Sequence, residues 1–179
     1  MVHFIEAIVT LQNFDALVVE KLNLPVFQYS PAKIIGLPHS LDGLGRWAPD
    51  QFLQLAQDLD IKFEIFSDLE LDEMAITVDN SITHGIANKL GLKKFALIQT
   101  EYHGGGGEQA AMVYIDGNRQ LHGTSDKTAI GQITLLKDPI NQALQMLGIN
   151  IADGFCDEFS TVGLDRHRTF DKYFLREND

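Results

Sequence analysis

The chain has 179 residues, 45% hydrophobic and 22% charged, an ordinary globular composition long enough to bury roughly 70% of its unfolded surface. One domain over residues 1–179 is expected, with no need for a disulfide framework or a structural metal. Fourteen Lys and Arg against 25 Asp and Glu give a net charge of −11, which argues against nucleic acid and anionic membrane surfaces as partners.

A single cysteine, Cys156, cannot form an internal disulfide and suits a reducing compartment. The N-terminus has no basic stretch followed by an apolar one, because Glu6 interrupts the run early, and no segment has the roughly 18 apolar residues of a spanning helix. The expectation is a cytoplasmic protein.

In chain order, His3 to Leu11 is apolar and β-branched enough for an opening strand. Asn13 then offers an N-cap to a helix carrying Phe14, Leu17, Val18 and Leu22. Val26 to Tyr29 and Lys33 to Leu37 form two extended pieces about Ser30–Pro31, since a residue before proline is driven out of the helical region. Pro49 suits a first helical turn, and Phe52, Leu55, Ala56 and Leu59 make one apolar stripe. Ile61, Phe63 and Ile65 alternate with Lys62 and Glu64, the period of a strand with one wet face, and Met74 to Val78 is a second strand to pair with it.

Ser81 is placed to cap a helix lined by Ile82, Ile86 and Leu90, with Gly91 as its left-handed stop. Strands at Phe95 to Tyr102 and Gln109 to Ile115 follow, and Asp116–Gly117 turns the chain into Arg119 to His122. After a short strand at Gln132 to Leu136, Asp138 and Pro139 open a helix with Ile140, Ala143, Leu144 and Leu147 before Gly148. The segment from Asp157 to Asp179 reads as irregular or partly helical, and Phe159, Phe170, Tyr173 and Phe174 suggest that it docks on the body. Tight turns between strands imply an α+β fold, a largely antiparallel or mixed sheet packed against three or four helices, with a three-layer α/β fold as the alternative.

Four consecutive glycines make residues 101–109 the most unusual stretch. Gly104, Gly105, Gly106 and Gly107 can form a nest of backbone N–H groups for an anion, flanked by Glu101, His103, Glu108 and Gln109, with Tyr102 and Tyr114 shaping the site. A plain connector between strands is the simpler reading. A phosphate-binding P-loop would end in Gly-Lys-Ser/Thr and feed a helix, whereas this run continues into Glu108–Gln109. The fragment His103–Gly106 resembles the HGGG oxyanion segment of lipases and esterases, but the chain has no Gly-x-Ser-x-Gly nucleophile elbow, so the resemblance transfers no catalytic role.

Six histidines form no HxH, HxxxH or HExxH pair, so no metal site and no cofactor is expected; a site from His103 and His122 with Glu101 or Glu108 would need the fold to bring them together. Residues 41–80 hold ten carboxylates against Arg46 and Lys62, densest at Asp68, Glu70, Asp72 and Glu73. Trp47 reads as core or as an interface anchor, and Asp165–Arg168 is a small basic cluster that ties the tail to the body or to a second copy in a homodimer. With no nucleophile and base in a known spacing, the reading leans away from an enzyme. It favours an interaction module that uses the Asp68–Glu73 acidic face to bind a basic protein, such as an inhibitor or immunity-type protein. The alternative is a small-molecule-binding protein or enzyme built on the glycine loop.

Overall fold

The computed structural model describes residues 3–37, 49–61, 78–103, 106–127, 132–170 and 173–174, without the side chains of 49–53 and 103. Strands are β1 (His3–Thr10), β2 (Val26–Tyr29), β3 (Ala32–Leu37), β4 (Lys94–His103), β5 (Gly106–Ile115), β6 (Asn118–Thr124) and β7 (Thr134–Leu135). Helices are α1 (Ala16–Lys21), α2 (Pro49–Asp58), α3 (Ser81–Lys89), α4 (Pro139–Leu147) and α5 (Glu158–Thr161), with a 3-10 turn at Leu164–Arg166. The strands join one sheet in the order β2-β3-β1-β4-β5-β6-β7, antiparallel throughout except for the β6–β7 pair. The architecture is α+β with a mixed sheet. No helix among the described residues is long and apolar enough to cross a membrane.

Alternation along the strands sends side chains to opposite faces, and both faces are packed. On one, Ile8, Ile35, Leu97 and Met112 meet Val19 of α1, Leu55 and Ala56 of α2, and Ile82 and Ile86 of α3. On the other, Ile5, Ala7, Ile98, Ala111 and Val113 meet Ile140, Ala143 and Leu144 of α4, together with Val162, Leu164 and Phe170 from the tail. β1 and β4 are therefore apolar on both faces, the composition of a central strand, whereas β6 is largely exposed at its start.

Several local expectations shift by a residue or two. Asp15, not Asn13, caps α1 by accepting a bond from the Leu17 N–H at 2.9 Å, while the Asn13 side chain accepts from Lys33 Nζ at 2.7 Å. Asn80 caps α3, one residue before Ser81, because its carboxamide takes both the Ile82 and Thr83 N–H groups and Thr83 bonds back. Asp138 precedes α4 but makes no side-chain cap bond. Gly91 holds the left-handed position expected of it, and Gly148, after α4, is left-handed as well at φ 101°. The hairpin strands are longer than their apolar cores suggest, since the ladder continues through His103 and Gly106. The turn into β6 has Asp116 at φ 49° and Gly117 at φ 77°, the two positive angles that a hairpin's right-handed twist demands. The expected strands at 61–66 and 74–78, like the Asp68–Glu73 block and Trp47, fall mainly or wholly outside the described residues.

The tail docks. Asp157 caps α5 through the Ser160 N–H at 2.7 Å, Glu158 accepts a bond from Gln145 Nε2 at 2.8 Å, and the Phe4 N–H donates to the Arg168 carbonyl at 2.6 Å. His167 sits among Phe27, Tyr29 and Phe170, its Nε2 3.0 Å from the Tyr29 hydroxyl. Arg166 lies 5.2 Å over the Tyr29 ring. Within the molecule, the Asp165–Arg168 cluster thus holds the tail through an aromatic face and a backbone bond.

Candidate functional site

The face that carries α1, α2 and α3 divides into rows running across the strands. Phe95 and Tyr114 form one row and Ile8, Leu97, Met112 and His122 the next. Beyond these the chemistry changes: Leu37, Glu6, Gln99, Ala110 and Thr124 are in register, and past them Phe4, Glu101 and Glu108. The apolar rows packed by helices thus give way, toward the β4–β5 hairpin, to carboxylates and amides. Glu6 is only 2% exposed, Thr124 3% and Gln99 5%, and buried polar groups of this kind are costly unless bonded. Gln99 Oε1 accepts the Val78 N–H at 3.2 Å, and Thr124 Oγ1 accepts the Asp126 N–H at 3.0 Å. Glu6, Gln99, Glu101 and Asp126 each take part in further interactions.

Glu101 and Glu108 face each other directly across β4 and β5, an arrangement that destabilises a sheet when both are charged. Although Glu108 reaches solvent, the protein around it strips part of its hydration and so raises its pKa; the charges of Asp126 and Glu101, and a hydrogen bond with Asp126, raise it further. Three carboxylates, from β4, β5 and the segment just after β6, therefore share one neighbourhood.

The glycine stretch is divided by the same alternation. Glu101 and Glu108 lie on the side that carries α1, α2 and α3; Tyr102 and Gln109 lie on the side of α4, where Gln109 Nε2 donates to the Tyr102 hydroxyl at 2.6 Å. Gly106 and Gly107 are ladder residues opposite His103 and Tyr102, and Gly104 and Gly105 fall outside the described residues. A Cβ on Gly107 would come within 2.6 Å of the Tyr102 Cα, so close backbone approach is what requires glycine there; Gly106 has open space. His103 ends β4 at the hairpin, whereas His122 pairs with Met112, six residues from Gly106 along β5, a separation of about 20 Å that keeps them from sharing a metal. Among the described residues, no group of three or more His, Cys, Asp or Glu is placed to hold a metal ion.

A second polar cluster lies at the opposite end of this face, and sequence spacing gave no hint of it. Asp79, just before the α3 cap, accepts the Tyr114 hydroxyl on both oxygens at 2.9 Å and His84 Nε2 at 2.6 Å, with Arg119 Nη1 3.7 Å away. Burial would raise its pKa, but the bonds from His84 and Tyr114 and the positive field of His84 and Arg119 outweigh it and hold the carboxyl below its ordinary range. Burial pushes the Tyr114 phenol up, with the Asp79 charge adding to it. The Tyr114 ring is crossed by His84 at 4.7 Å and stacked on Phe95 at 5.4 Å. Nearby His122 has its pKa lowered by burial and then by Arg119, and its enclosed Nδ1 has no hydrogen-bond partner. The carboxylate ties the start of α3 to β5 and β6.

Compared with protein-family models, with curated proteins and with solved structures, the chain finds no match.

Proposed function

We propose that the protein is an interaction module that receives cationic side chains of a basic partner protein on the carboxylate end of its sheet, around Glu101, Glu108 and Asp126. The observation that carries this reading is the register of Glu101 against Glu108 with Asp126 beside them, a like-charge grouping that adds to partial burial in raising the Glu108 pKa. A lysine or arginine placed there relieves the repulsion, and the net charge of −11 speeds the encounter. Ionised Glu108 favours binding and works against the stability of the free protein. The carboxylates of the Asp68–Glu73 block add to the net negative charge.

The test is an amide-resolved NMR titration with a lysine-rich peptide at two salt concentrations. The expected result is that the largest shifts fall on Glu101, Glu108 and Asp126, and that Glu101→Gln with Glu108→Gln weakens binding by roughly tenfold, two exposed pairs at up to ~1 kcal/mol each. Shifts confined to Asp68–Glu73, or binding unchanged in the double variant, would overturn the assignment. A small cation that shifts these residues as strongly as the peptide would favour the small-molecule alternative.

A further inference from the structure

We draw no further inference here: the strongest candidate, the Asp79, His84, Tyr114 and Arg119 cluster at the start of α3, carries nothing because its carboxylate is taken up by the donors that join α3 to the sheet, and the neighbouring His122, whose Nδ1 lacks a partner, is only partly buried and marks no ligand site.

Discussion

Asp79 and Glu108 are carboxylates toward opposite ends of one side of the sheet, and their surroundings have opposite sign. Around Asp79 the fold gathers a phenol, an imidazole and a guanidinium, and the carboxyl is held ionised to lower pH than usual. Around Glu108 it gathers Asp126 and Glu101, and the carboxyl holds its proton to higher pH than usual. Burial opposes ionisation at both, so the difference comes from the neighbours. A carboxylate whose needs the fold meets is an anchor; one set against its own kind works against stability once it is ionised.

The largest effect is expected at the anchor. Asp79→Ala leaves the Tyr114 hydroxyl and His84 Nε2 without their acceptor and should cost about 2–4 kcal/mol in urea unfolding. A loss below ~0.5 kcal/mol would mean that Asp79 holds nothing and the contrast is empty. Gly107→Ala should cost about 1–3 kcal/mol by overpacking the hairpin against Tyr102, while Gly106→Ala, in open space, should stay within about 0.5 kcal/mol. Equal effects at the two glycines would contradict the close approach at Gly107.

Titration sharpens the contrast, because the two groups act with opposite sign. The folded pKa of Asp79 lies below its ordinary 3.8, so its stabilisation is present above that value and is lost as pH falls through the lower folded one. Asp79→Asn should therefore flatten the acid limb of the stability curve. His122 behaves in the same direction, since its folded pKa is below 6.5: stability is present above 6.5 and declines as pH drops toward the folded value. Glu108 reverses the sign. Its contribution is fully favourable below 4.5 and is lost as pH rises through the raised folded pKa. Glu108→Gln is expected to raise stability at pH 7 by a few tenths of a kcal/mol, the smallest of these effects because solvent screens the group.

Local elements were legible in the sequence because their signals are local. The stripe in α4, the stop at Gly148 and the turn at Asp116–Gly117 each depend on residues within one or two turns of chain. The caps of α1 and α3 were misplaced because several cap-competent residues stand together and only the backbone angle selects among them. Neither polar cluster was legible as a whole. The row of Glu6 with Gln99 needs β1 to lie beside β4, some ninety residues away, and the anchor joins residue 79 to 84, 114 and 119. One signal was available: Glu6 is the lone carboxylate of β1, set between Ile5 and Ala7. In the sequence it breaks a hydrophobic run; in the fold it marks the row where the sheet turns from core to polar surface. The glycine run was conspicuous, yet the period of two divides its neighbours between opposite sides of the sheet.

The most direct test of the central claim measures stability and binding together in Glu108→Gln, by urea unfolding at pH 7 and titration with the lysine-rich peptide. The two effects are expected to have opposite signs, a slightly more stable protein that binds the peptide more weakly. A variant that is less stable, or that binds as tightly as the parent, would show that Glu108 belongs to the fold's own support and not to a surface held for a partner.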